Sequence, residues 1–150
     1  MENKNILSEI QTELKAPKGQ RNNFGNYNYR SAEDILEAVK PLLEKHNCAL
    51  VINDDIVEVE ARVYVKSTAM LAFENTPFAS STAFAREAFQ KKGMDDAQIT
   101  GSASSYARKY ALNGLLAIDD TKDADFNNKH GNNSPVASTK EVATTNDELI

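Results

Sequence analysis

Apolar residues Ile6, Leu7, Ile10 and Leu14 recur at helical spacing near the start of the chain. They predict a short amphipathic helix over residues 4–15, ended by Pro17 and Gly19. From Ala16 to Arg30 the chain is polar, Asn-rich and Gly-containing, so it reads as a loop with a short extended piece at Tyr27-Asn28-Tyr29. Ser31 is a good N-cap, with Asp34 three residues on in a near match to a capping box and Glu33 in the favourable first turn. It opens a second helix with an apolar stripe of Ile35, Leu36, Val39, Leu42 and Leu43, ending near His46-Asn47. Pro41 falls inside that stripe, so a kink or a break is expected there.

Residues 49–89 alternate differently. Ala49-Leu50-Val51-Ile52 reads as a strand running into a turn at Asn53-Asp54-Asp55. Val57, Val59, Ala61, Val63 and Val65 alternate with Glu58, Glu60, Arg62, Tyr64 and Lys66, the period-two pattern of a half-buried strand. Ala69 to Glu74 is a third strand and Asn75-Thr76-Pro77 a turn. Phe78 to Phe89 reads as a fourth strand, although Ala83-Phe84-Ala85-Arg86-Glu87-Ala88 suits a helix equally well.

After a loop at Lys91-Lys92-Gly93-Met94-Asp95-Asp96, a long helix is predicted from about Ala97 to Ile118. Ile99, Ala103, Tyr106, Tyr110, Gly114 and Ala117 share one face, and Ile99, Ala103, Tyr106 and Tyr110 read as core. The opposite face carries Gly101, Ser104, Ser105 and Arg108, with Lys109 on its flank. Residues 121–146 are rich in Asn, Thr, Ser, Lys and Ala, the composition of a disordered tail. The order helix, helix, meander, helix defines an α+β fold with an antiparallel β-meander packed with helices. The expected division is a domain over 1–120 and a flexible polar tail over 121–150.

Composition narrows the function classes. No apolar run is long enough for a membrane span. The N-terminal segment lacks a signal-peptide pattern, and one cysteine, Cys48, forms no internal disulfide. Both point to the cytoplasm. Cys48 reads as a small buried residue. The net charge of −5 weighs mildly against a nucleic-acid partner. Its distribution matters more: no acid lies between Glu13 and Glu33, where Lys15, Lys18, Arg21 and Arg30 fall.

Three segments are candidates for chemistry. The first interleaves Lys15, Lys18, Arg21 and Arg30 with Phe24, Tyr27 and Tyr29. Cations attract phosphates and aromatic rings stack on unpaired bases, so the mixture suits single-stranded DNA. The same residues also suit a loop whose rings pack on the domain and whose cations are solvated. The second is the Gly101–Leu112 helix. Its small residues admit a phosphate backbone, and Ser104, Ser105 and Arg108 can bond its oxygens. Close helix–sheet packing explains the small residues equally well. The third, Asp119 to Asp125, has four acids in seven residues. That suits a divalent cation, or simply a solvated start to the tail. No nucleophile–base set, His-Cys metal spacing or phosphate-binding Gly-x-x-x-x-Gly-Lys loop occurs, which disfavours an enzyme and an ATP-driven recombinase. Neither a cofactor nor a metal is required.

Two stretches carry a resemblance. One is Phe24-Gly25-Asn26-Tyr27-Asn28-Tyr29-Arg30-Ser31-Ala32-Glu33-Asp34-Ile35-Leu36, followed by Val39-Lys40-Pro41-Leu42-Leu43. The other is Gln98-Ile99-Thr100-Gly101-Ser102-Ala103-Ser104-Ser105-Tyr106-Ala107-Arg108-Lys109-Tyr110-Ala111-Leu112, followed by Asp119-Asp120. Together they resemble the ERF (essential recombination function) family of phage single-strand annealing proteins, over residues 4–125. The resemblance implies a fold similar to ring-forming annealing proteins. It implies binding of single-stranded DNA and ATP-independent annealing in phage-type homologous recombination and repair, within a bacterial host's cytoplasm. It also implies assembly into a ring-like homo-oligomer, and DNA contacts by Arg108 and Lys109. Family members often carry arginine at the position of Lys109 and threonine at that of Ser105; lysine keeps the charge without the bidentate fork. Lys91 and Lys92 are further DNA-contact candidates, and a phage exonuclease or a single-strand binding protein is an expected partner. The alternative is a module that binds and protects single strands without annealing them. Two other classes are an interaction protein using the tip Asp147-Glu148-Leu149-Ile150, and a metal-dependent nuclease using Asp119 to Asp125.

Overall fold

A computed structural model describes residues 6–119. Helix α1 (Ile6–Glu13) buries Ile6 and Ile10. The polar segment after it is not all loop. β1 (Gln20–Asn22) and β2 (Tyr27–Tyr29) pair antiparallel, Gln20 opposite Tyr29. The extended piece expected at 27–29 is β2; its partner carries no strand signal of its own. The turn between them needs glycine, because a Cβ on Gly25 would sit 2.5 Å from the Tyr27 ring.

Helix α2 (Ala32–His46) starts as expected. The Ser31 hydroxyl accepts from the Asp34 amide at 3.1 Å, and the Asp34 carboxylate accepts from the Ser31 amide at 2.9 Å. Asp34 also accepts from the Gln20 side chain, which ties β1 to the helix. The backbone bond from Ser31, set against some desolvation, holds the Asp34 carboxyl below its ordinary value. The helix does not break at Pro41; it runs through to Asn47, which caps it in the left-handed conformation. Pro41 is exposed, so only one helical hydrogen bond is forfeited there. His46 stands 3.4 Å from Glu9 and 3.2 Å from Glu13, and Lys45 stands 2.8 Å from Glu13. These contacts fasten the end of α2 to α1. Bonds from Lys45 and His46 pull the Glu13 carboxyl down from its ordinary value.

The sheet is a three-stranded meander, β3 (Cys48–Val59), β4 (Arg62–Phe73) and β5 (Thr76–Arg86), antiparallel in that order. This is the expected α+β architecture with different turns. Asn53-Asp54-Asp55 is strand, and the real reversals are the two-residue turns Glu60-Ala61 and Glu74-Asn75, all four residues having positive φ. Such turns follow the natural strand twist but favour Asn and Gly. Glu60-Ala61 offers neither, so the sequence reads as one strand through a hairpin. The expected third strand is the end of β4. The expected fourth is β5, a strand and not a helix. Cys48 is half-buried; desolvation pushes its thiol above the usual range.

Helix α3 (Asp96–Leu116) lies on one face of the sheet. It begins on a capping box of Asp95 and Gln98. Its buried column is Ile99, Ala103, Ala107 and Ala111, four apart; Ala103 and Ala107 pack with Val65 and Ala85 of the sheet, and Ala111 joins the main core. In register, β5 offers this side only Ala79, Ser81, Ala83 and Ala85. Small faces small, so helix and sheet approach closely; a Cβ on Gly114 would meet the Ser81 hydroxyl at 2.5 Å. Near its C-terminal end Leu112, Leu115 and Leu116 join Ile10, Ile35, Val39 and Leu71 in the main core. The far face of the sheet leaves Val51, Val59 and Phe84 exposed. Residues 121–146, expected to form a disordered tail, lie outside the described residues.

Candidate nucleic-acid interface

The close approach of α3 corrects one expectation directly. Tyr106 and Tyr110 are not core: they are 58% and 48% exposed. The alanine column takes the inner position, and tyrosines one residue earlier are turned about 100° from it. Their rings stack on each other, centres 5.7 Å apart and planes 27° apart. Tyr27 and Tyr29 form a second pair on β2, 6.1 Å apart. Lys109 joins the two pairs. Its ammonium lies 5.7 Å from the centre of the Tyr29 ring and 5.6 Å from that of Tyr110. Desolvation, and then the phenols of Tyr27 and Tyr29, raise the Tyr106 hydroxyl above its ordinary pKa. Four of the chain's five tyrosines therefore share one surface with a cation.

The neighbouring residue, Arg108, faces the sheet edge. Asp54 of β3 lies opposite Ser67 of β4, and both point toward α3. The Ser67 hydroxyl, fully buried, donates to the Asp54 carboxylate at 2.6 Å. Ser104 donates to its other oxygen at 2.6 Å. Arg108, one helical turn beyond Ser104, donates from Nε at 3.3 and 3.2 Å. Burial works to raise the Asp54 pKa, but the bonds from Ser104, Ser67 and Arg108, with the charge of Arg108, outweigh it. The carboxyl is held below its ordinary value. Among the described residues Arg108 bonds only through Nε, so its two terminal nitrogens remain available on a side chain 42% exposed. Asp54 is a residue that sequence reasoning missed. Its polarity read as a turn, whereas it supplies the acceptor for three donors.

The remaining candidates are distributed as follows. Ser104 commits its hydroxyl proton to Asp54, and Ser105 is exposed. Arg30 donates from Nε to the Ala16 carbonyl at 2.8 Å and lines a cleft of about 160 Å³ with Gln11 and Leu116. It braces the first loop. Arg21 is exposed and bonds Asn28 and Asn26. Lys15 is exposed and Lys18 half-buried. Phe24, at the turn of the β1–β2 hairpin, is fully exposed at 102%. Lys91 and Lys92 are exposed before the N-terminus of α3, roughly 20 Å along the helix axis from Lys109. The geometry thus brings Tyr27, Tyr29 and Lys109 together, and does not bring Lys91 and Lys92 to them.

Among the described residues no three His, Cys, Asp or Glu side chains stand close enough to share a metal ion. Of the acidic run at 119–125, only Asp119 lies within the described residues. No described helix is long and apolar enough to cross a membrane.

No solved structure matches the chain. It is 55% identical over 137 residues to the essential recombination function protein of Salmonella phage P22, covering 89% of this chain and 65% of that protein. The chain therefore spans just under two thirds of that relative's length. The ERF superfamily profile matches residues 4–148. That is longer than the 4–125 resemblance and takes in the tail segment. With nearly its whole length matched, the chain belongs to the ERF superfamily.

Proposed function

We propose that this chain binds single-stranded DNA and anneals complementary strands without ATP, in phage-type homologous recombination. The observation that carries the reading is the position of Lys109, shared between Tyr29 and Tyr110 beside Arg108, which among the described residues bonds only through Nε. One surface then offers cations for phosphates and π-faces for unpaired bases. The name of the phage P22 relative supports the recombination role. The chemistry is non-covalent: neutralised phosphates no longer repel a second strand, and bound strands cannot fold into hairpins. Arg108 and Lys109 are the principal contacts. Tyr27, Tyr29, Arg21 and Lys18 of the first loop extend the surface, with Lys15 and Ser105 at its margins and Lys91 and Lys92 apart from it, able to meet only a strand that runs on along α3. Ser104 and Arg30 act by holding their neighbours.

Assembly of copies into a ring is part of the proposal. Edge strands β3 and β5 have unpaired outer sides among the described residues, and the far sheet face keeps Val51, Val59 and Phe84 exposed. Open edges and apolar sheet faces favour association. Residues 1–120 would form the annealing domain in the host cytoplasm, alongside a phage exonuclease or single-strand binding protein.

The test is annealing of two complementary oligonucleotides without ATP, by the native protein and by Arg108→Ala/Lys109→Ala. Acceleration that the double variant loses is the expected result, with affinity falling steeply as salt rises. Tight binding that slows annealing would replace the proposal with a protective module. No binding, or a flat salt response, would refute the electrostatic surface.

A further inference from the structure

We infer that Tyr106 and Tyr110 form a platform on which unpaired nucleobases stack, with Lys109 taking the phosphate of the same nucleotide. This rests on the DNA-binding reading above and adds to it the ligand group each side chain meets. Two large rings one turn apart on a helix ordinarily turn inward, since burying each removes apolar area from water. Here small-residue packing of α3 on β5 occupies the inner face, and the rings remain about half exposed. They are ordered against each other, 5.7 Å apart and 27° from parallel. A base can therefore continue a stack that already exists.

The surroundings favour nucleic acid over an apolar protein surface. Lys109 lies 5.6 Å from the Tyr110 ring centre, close enough for one nucleotide to reach both groups. The facing hairpin belongs to a segment with no carboxylate from Leu14 to Ala32. Its Tyr29 ring closes the other side of the ammonium. Stacking uses the flat face of a base and leaves its Watson–Crick edge free. A strand held this way stays open to a complement, which annealing requires.

The chain has no tryptophan, so Tyr106→Trp introduces a single reporter at the platform. Two probes of equal length are titrated: oligo(dT), and an abasic deoxyribose-phosphate oligomer that keeps the charges and lacks the bases. Tryptophan fluorescence is expected to be quenched by oligo(dT) and not by the abasic strand. Tyr106→Ala/Tyr110→Ala should weaken oligo(dT) binding about ten-fold or more, leave abasic binding unchanged, and be rescued by Tyr106→Phe/Tyr110→Phe. Equal quenching by both probes, or equal loss of both affinities in the alanine variant, would overturn the platform while leaving the DNA-binding reading standing. Unchanged oligo(dT) affinity with a smaller assembly by light scattering would also overturn it, assigning the rings to contact between copies. Native protein that binds neither probe would sink both readings.

Discussion

Replacing Asp54 by alanine removes one acceptor that serves three donors. The largest loss falls on Ser67, whose hydroxyl is fully buried and would be left without a partner, at about 1–3 kcal/mol. The Arg108 bond adds less. That side chain is 42% exposed, and pairs so solvated are screened to roughly 0.2–1 kcal/mol. A total of about 2–3 kcal/mol follows, or a fall in Tm of roughly 10 °C for a domain of this size. Urea unfolding at neutral pH reads it as a lower midpoint at unchanged slope. The same measurement on Ser67→Ala and the double variant checks the cause. Once the orphan hydroxyl is gone, Asp54→Ala should do markedly less harm. The pH dependence has a fixed sign. The folded carboxyl titrates below its unfolded value, so its stabilisation is complete above that unfolded value, near ~3.9, and disappears as the pH falls through the folded one. The gap between native and variant should therefore narrow in acid by the part that needs the charge, while the bond from Ser67 to the neutral carboxyl keeps the rest. A loss under about 0.5 kcal/mol, a gap that does not narrow in acid, or strict additivity with Ser67→Ala would refute this account.

Asp54 also bears on DNA. Asp54→Asn removes a negative charge beside the proposed interface, yet it should weaken oligonucleotide binding, because Arg108 exchanges the carboxylate that orients it through two oxygens for a single neutral amide oxygen; tighter binding in a filter or anisotropy assay would contradict this. In the Glu60-Ala61 turn both residues adopt positive φ, so Glu60→Asn/Ala61→Gly should stabilise by roughly 0.5–1 kcal/mol, seen as a higher urea midpoint. Pro41 sits exposed within unbroken α2, and Pro41→Ala should restore a helical N–H and stabilise by about 1–2 kcal/mol; a lower Tm would show that the proline serves packing. Gly25→Ala would push the Tyr27 ring from its place. Its expected signature is a loss of oligo(dT) affinity larger than its loss of stability.

What the sequence determined by itself is the set of features that depend on near neighbours. The Ser31–Asp34 cap, the end of α2 at Asn47, the strand character of β3 and β4 and the long α3 all follow from local periodicity and capping, whereas 83–88 suited strand and helix alike until β4 paired with it. The family, too, was legible, because its motifs lie in the first loop and in α3. What needed the tertiary structure is everything decided by a distant partner. Asn53-Asp54-Asp55 has the composition of a turn, and only Ser67, Ser104 and Arg108, brought from β4 and α3, make Asp54 a strand residue. Gln20–Asn22 becomes a strand through its pairing with Tyr27–Tyr29. Tyr106 and Tyr110 are the plainest case. By size they belong inside, but β5 presents alanine and serine to the helix, and contact that close admits only alanine in return. The choice of which helix face goes inward was made by the sheet opposite, and it left two tyrosines and a lysine on the surface.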